Sequence, residues 1–235
     1  ALMANQGECV IYGLIFVAIT MVIVMGGVGG GIEKVCSVGM PALFVMLVIC
    51  IIRSCTLDGA VEGLKYMFVP GWALDNGIIK EAPSFFSVLS TAGGQMFFSL
   101  SLGMAAMITY GSYLDKKENL QKNAIIIVVM DTLVALMAGL CVIPGRFALD
   151  PTGNLGGPSL LFVTMQNVFD RMGSVGPIFG IMFYLLVVFA AVSSSISLLE
   201  AVVAHFVDKA RDQGKGDKRK AYSVLAGIAA GILCV

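Results

Sequence analysis

Charge is what this chain has least of. Only 13% of its 235 residues are Asp, Glu, Lys or Arg, against 58% hydrophobic, whereas a soluble domain carries about 25% charged residues. Mean hydropathy is +0.92. So few charges cannot clothe a water-facing surface, which excludes an ordinary soluble domain and identifies an integral membrane protein. Acidic and basic residues balance to a net charge of zero, so no nucleic-acid partner is indicated, because such a partner leaves a basic excess. His205 is the one histidine; it stands beside a basic stretch and reads as solvated or interfacial, and no nucleophile–His–acid set is available for hydrolysis. The six cysteines (9, 36, 50, 55, 141 and 234) contain no CxxC pair and no Cys/His cluster, so neither a disulfide framework nor a metal site is expected. No basic segment precedes an apolar core at the start, so no signal peptide is visible. The chain opens on Ala1 and stops at Val235 inside an apolar run, and it reads as a piece of a longer protein. Glycines 26–31 follow no strand, which argues against a nucleotide-binding loop.

What the chain does have is long uncharged runs. About 20 apolar residues cross a bilayer, and the runs give spans at about 9–27, 35–52, 85–113, 124–143, 177–206 and 222–235, the last cut short. Pro41 loosens the second span by removing a backbone hydrogen bond. Pro144-Gly145 is expected to stop the fourth. The mixed stretch 53–83 has room for a short helix at 59–68, and Trp72 suits an interface. Turn residues at 150–154 and 156–158 precede a short amphipathic helix over 160–172. The loops alternate sides. One set holds ten Lys/Arg (Lys34, Lys116, Lys117, Lys122, Lys209, Arg211, Lys215, Lys218, Arg219, Lys220) and the other five (Arg53, Lys65, Lys80, Arg146, Arg171). The richer set is cytoplasmic by the positive-inside rule, placing loops 114–123 and 208–220 inside the cell membrane of a multi-pass protein.

The third span is a poor plain helix. Gly93, Gly94 and Gly103 each cost roughly 1 kcal/mol relative to Ala in a helix interior, and Ser99 and Ser101 bring hydroxyls to membrane depth. A broken helix is expected around 93–104. Lipid cannot satisfy a loosened backbone, so such a break lines a cavity or is buried in protein, and breaks near the midplane are where secondary transporters bind substrates and ions. Gly and Ser also serve close helix packing.

Two further polar features share that depth. Asp131 lies within the fourth span, where a charge costs roughly 2.5–3.5 kcal/mol, so it reads as functional or as a packed Asp near a helix end. In the fifth span Ala190, Ser193, Ser194, Ser197 and Leu198 share one helical face. Their hydroxyls and a carbonyl suit a weakly held hard cation such as sodium, or equally a serine-rich packing face. At ~1.5 Å per residue, Ser101, Asp131 and Ser193 all fall in the middle third of a ~30 Å core, which favours one shared site. Glu200, near the inner end of the fifth span, is expected to pair or snorkel. The basic run 209–220 reads as a topology signal in a solvated loop.

These residues resemble a known family. Gly94-Gln95-Met96-Phe97-Phe98-Ser99-Leu100-Ser101-Leu102-Gly103, with Ile108-Thr109-Tyr110-Gly111-Ser112-Tyr113, is similar to the sixth helix of the neurotransmitter:sodium symporters. Phe189-Ala190-Ala191-Val192-Ser193-Ser194-Ser195-Ile196 is similar to their eighth. Gly31-Ile32-Glu33-Lys34 with Met40-Pro41-Ala42-Leu43-Phe44 resembles the start of the fifth, and Asp131-Thr132 with Ala138-Gly139-Leu140 the seventh. The chain would be helices four to eight and the start of nine of a bacterial-type member.

The resemblance implies an all-α integral membrane protein with a partial inverted-repeat, sodium-coupled transporter fold. It implies symport of sodium with an amino acid or related small amine by alternating access, and no enzyme activity. Ser99 would contribute to a first sodium site. Phe98, Ser101, Met104, Ser194 and Leu198 would line the substrate pocket. The Ala190 carbonyl and the Ser193 and Ser194 hydroxyls would belong to a second sodium site. Asp131 falls where the family has an asparagine ligand of the first sodium, or serves as the carboxylate that replaces chloride in bacterial members; chloride would then not be required. Met104 stands where a bacterial member has Phe, so pocket shape does not transfer. The partners implied are the amino acid, sodium, the lipid bilayer and the missing helices of the same chain, which hold the rest of the site. A non-transporting receptor-like or structural protein that keeps the fold is the alternative.

Overall fold

The computed structural model describes residues 6–150, 156–214 and 218–233, and no strand occurs among them. In chain order the helices are α1 (Gln6–Met25), α2 (Glu33–Cys55), α3 (Ala60–Phe68), α4 (Trp72–Asp75), α5 (Phe85–Ser99), α6 (Ala106–Ser112), α7 (Leu120–Leu149), α8 (Gly157–Ser159), α9 (Met165–Arg171), α10 (Gly176–Asp212) and α11 (Arg219–Leu233). Wider π-type turns over Val28–Ile32 and Leu160–Thr164 lead into α2 and α9. Among the described residues, four segments are long and apolar enough to cross a membrane: Gly7–Met25, Val28–Cys55, Leu120–Leu149 and Gly173–Asp212.

Residues 85–113 form two helices, α5 and α6, separated at 100–105, so this span is broken as expected. Two other boundaries differ from the sequence reading. Pro144-Gly145 does not stop the fourth span, because α7 runs on to Leu149. A proline deletes one ladder bond, and here close packing offsets that loss. Gly63 of α3 lies so near Pro144 that a Cβ would stand 2.6 Å from the Pro144 Cα, and Pro144, Gly145, Arg146 and Phe147 are all buried. The basic stretch 208–220 is not one solvated loop either: α10 continues to Asp212 and Arg219 opens α11. Residues 151–155, most of an expected turn, lie outside the described residues, as do Lys215 and Cys234.

The chain forms two compact units. The first comprises Ala1–Pro41, Ser101–Glu118 and Val188–Val235; the second comprises Ala42–Leu100 and Asn119–Val187. In the first, Val24, Ile32, Val192, Ile196, Val203 and Val207 form the core, with Phe16 and Tyr222 against it. Gly227 and Gly231 let α11 approach Met21 and Leu14 of α1. Small residues do this in lipid, where helix association rests on close packing and hydrogen bonds. In the second unit Leu47 and Cys50 of α2, Cys141 and Val142 of α7, Met165, Val168 and Phe169 of α9, and Phe183 of α10 form the core.

Candidate functional site

The break after α5 is a true interruption of the helical backbone. Leu100 still donates its N–H to the Met96 carbonyl, and the next regular helical bond is Thr109 to Ala105 at 3.0 Å. Between them Ser101 (φ 55°), Gly103 (φ 80°) and Ala105 (φ 60°) take the left-handed backbone. Gly103 adopts it freely, but a non-glycine residue held off its preferred backbone costs of order 1–3 kcal/mol. Gly93 and Gly94, which the sequence reading placed in the break, are helical; the unwinding starts six residues later.

In the second unit, the last residue of α5 meets α7. The Ser99 hydroxyl donates to the Asp131 Oδ1 at 2.7 Å, which brings together two residues expected at a cation site. Ser99 lies at a helix C-terminus, where the peptide dipoles leave about half a negative charge. The carboxylate, the hydroxyl oxygen and that helix end together favour a cation. Phe98, the preceding residue, is 69% exposed, and α5 buries none of its residues.

In the first unit, the Ala190 carbonyl is the common acceptor of two hydroxyls, Ser193 at 2.9 Å and Ser194 at 3.1 Å. These bonds reach back one turn along α10, as Ser hydroxyls do inside helices, and they gather the three expected oxygen donors at one turn. The hydroxyl oxygens keep lone pairs that can turn to a cation. The other two serines of the run pack instead. Ser195 shares a 2.8 Å hydrogen bond with Thr20 of α1, and Ser197 bonds the Tyr110 hydroxyl at 3.1 Å. Ser101 and Met104 are half-buried, whereas Leu198 is exposed.

One cluster was only half visible in the sequence. Glu200 is fully buried. Its carboxylate accepts from the Tyr113 hydroxyl and from the Arg219 guanidinium, and the Arg219 Nε donates to the Val24 carbonyl near the end of α1 at 3.1 Å. Glu200 pairs, as expected. Arg219 does not sit in a solvated run, since its side chain is 17% exposed. The signal that identifies it is the buried Glu200 itself, which requires a basic partner within reach.

Among the described residues the chain is all-helical, with four segments long and apolar enough to cross a membrane, an interrupted helix and two separate groups of oxygen donors. The chain matches the Sodium:neurotransmitter symporter family over residues 3–235, and it belongs to that family of symporters. Among its relatives is the uncharacterized sodium-dependent transporter YhdH of Bacillus subtilis, 39% identical over 217 residues, which are 92% of this chain and 44% of that protein. An uncharacterized sodium-dependent transporter of Haemophilus influenzae is 35% identical over 204 residues, 87% of this chain and 42% of that protein. The sodium- and chloride-dependent GABA transporter ine of Drosophila melanogaster is 27% identical over 172 residues, 70% of this chain and 17% of that protein. The chain spans less than half the length of these relatives.

Proposed function

We propose that this chain is part of a sodium-coupled symporter that carries an amino acid or related small amine across the cytoplasmic membrane by alternating access. The observation that carries the reading is the Ser99–Asp131 pair at the end of the broken helix. A carboxylate at that depth needs a cation or a proton beside it, and sodium, a hard ion, takes oxygen ligands. Ser99 and Asp131 serve a first sodium. The Ala190 carbonyl with the Ser193 and Ser194 hydroxyls serves a second. Phe98, Ser101, Met104, Ser194 and Leu198 line the substrate pocket, and the strained turn at 101–105 exposes backbone groups for the substrate's polar atoms. The six spans belong to one transmembrane domain, and the uncovered faces of α5 are packed by helices of the same longer chain. The stretches 114–123 and 208–220, which include the start of α7, the end of α10 and the start of α11, lie on the cytoplasmic side. The fixed charge of Asp131 makes chloride unnecessary.

The test is uptake of a panel of labelled amino acids by the full-length protein in proteoliposomes, with and without an inward sodium gradient. Uptake of one or a few amino acids only with sodium supports the reading. Binding without transport, or uptake indifferent to sodium, overturns it and favours a protein that keeps the fold without the coupling.

A further inference from the structure

The second unit holds a sulfur cluster that sodium and substrate chemistry leaves unused. Cys50 on α2 and Cys141 on α7 belong to the same buried core and are 6% and 3% exposed. Both line a cavity of about 20 Å³, whose walls also include Arg53, Ser54, Met165 and Met172. That is room for one water-sized guest. The Ser54 hydroxyl, on a residue 6% exposed, is buried with no hydrogen-bond partner. A buried hydroxyl left unmatched costs of order 1–3 kcal/mol, so the cavity is built for something that accepts a hydrogen bond. The lining supplies two thiols, two thioethers, one unused O–H donor and one guanidinium. Thiolate and thioether donors suit soft metal centres, Cu(I), zinc and iron–sulfur clusters among them.

We propose that Cys50 and Cys141 form a two-sulfur site for a soft monovalent cation, Cu(I), seated in this cavity. On binding, each thiol releases its proton to solvent and each sulfur forms one bond to the metal, so Cu(I) plus two thiols give an anionic bis-thiolate centre and two protons, with no change of oxidation state. Arg53 offsets the single negative charge, and Ser54 donates to a thiolate sulfur. Met165 and Met172 offer the weaker sulfur contacts, and Phe169 and Phe183 complete an apolar wall. Two donors, rather than four, leave the site too poor in ligands for a tetrahedral zinc ion.

The experiment uses the full-length protein in detergent, with every cysteine except 50 and 141 changed to serine, titrated anaerobically with Cu(I) held by a coloured chelator. One Cu(I) per chain is expected to leave the chelator, with two sulfur scatterers in its X-ray absorption spectrum. Cys50→Ser and Cys141→Ser each abolish that transfer. Ser54→Ala, which keeps both sulfurs and relieves an unmatched hydroxyl, weakens it about tenfold, the effect of losing a supporting hydrogen bond, with the thermal midpoint unchanged or raised. No transfer from the parent protein means that the cavity holds water only and overturns the proposal, as does transfer that survives either cysteine variant. Should the cysteine variants fail to fold, an Ser54→Ala protein that binds as tightly as its parent also overturns it.

Discussion

Arg219→Ala is the substitution with the largest consequence away from the proposed sodium donors. It removes the cation from a fully buried carboxylate and takes a donor from the Val24 carbonyl in the same step. Glu200 keeps the Tyr113 hydroxyl, which is too little for an uncompensated charge. Breaking a buried pair by deleting one partner costs about 3–5 kcal/mol, a fall of about a hundredfold to a few thousandfold in the folded-to-unfolded ratio. Tyr113→Phe leaves the ion pair whole and removes one hydrogen bond to a charged acceptor, worth about 1.5–3 kcal/mol. Replacing both charges, as Glu200→Leu with Arg219→Met, removes the attraction and the burial cost together, and such exchanges are often neutral. The expected order of stability is therefore parent and double variant together, then Tyr113→Phe, then Arg219→Ala. Denaturation of the full-length protein and each variant in detergent measures it, and Glu200→Leu and Arg219→Met made singly close a mutant cycle with the double. An Arg219→Ala loss below about 1 kcal/mol, the range of a solvent-exposed pair, would refute the reasoning, because Glu200 would then have to reach water.

Other positions carry their own expectations. Gly63→Ala places a methyl 2.6 Å from the Pro144 Cα, so it should destabilise by about 1–3 kcal/mol, as overpacking does; an unchanged denaturation midpoint would show that α3 and α7 separate without cost. Ala105→Gly relieves a left-handed alanine, for which sterics alone cost roughly 1–2 kcal/mol, and should raise the thermal midpoint while leaving sodium affinity close to the parent's. Asp131→Asn should make uptake depend on chloride, because the fixed negative charge is gone; uptake equal in chloride and gluconate would remove that role. Ser193→Ala should raise the sodium concentration for half-maximal uptake, and an unaltered activation curve would take Ser193 out of the site.

The parts of the fold set by composition were legible from the chain alone. Uncharged runs located the long helices, and the combination of Gly103 with Ser99 and Ser101 marked the break in the third apolar run. What could not be read was where that break begins. Glycine propensity alone gives Gly93 and Gly94 as much weight as Gly103, yet the first two remain helical and the unwinding includes Ser101 and Ala105, whose side chains disfavour it. Propensity is a local quantity, and a left-handed alanine is held by its surroundings. The same limit explains Pro144. Its local preference is to end a helix, and only the contact with Gly63, about eighty residues earlier in the chain, shows why α7 continues.

The candidate site divides along the same line. Ser99 and Asp131 stand 32 residues apart; helical rise put Asp131 near the depth of Ser101, two residues on from Ser99, and the family resemblance suggested both for one sodium site, but equal depth alone does not make two side chains meet. Arg219 is different. Its sequence neighbours are Lys218 and Lys220, and nothing local separates it from them. What distinguishes it is a demand placed by another residue: Glu200 lies on the side of α10 that packs into the core, and a charge there must be matched. The polar residues of an apolar helix therefore specify more than their own positions. Each one that faces the core implies a partner elsewhere in the chain, and searching the nearest charged stretch for that partner would have singled out Arg219 at the first turn of α11, where its aliphatic stem can run along the helices and its guanidinium can reach both Glu200 and the end of α1.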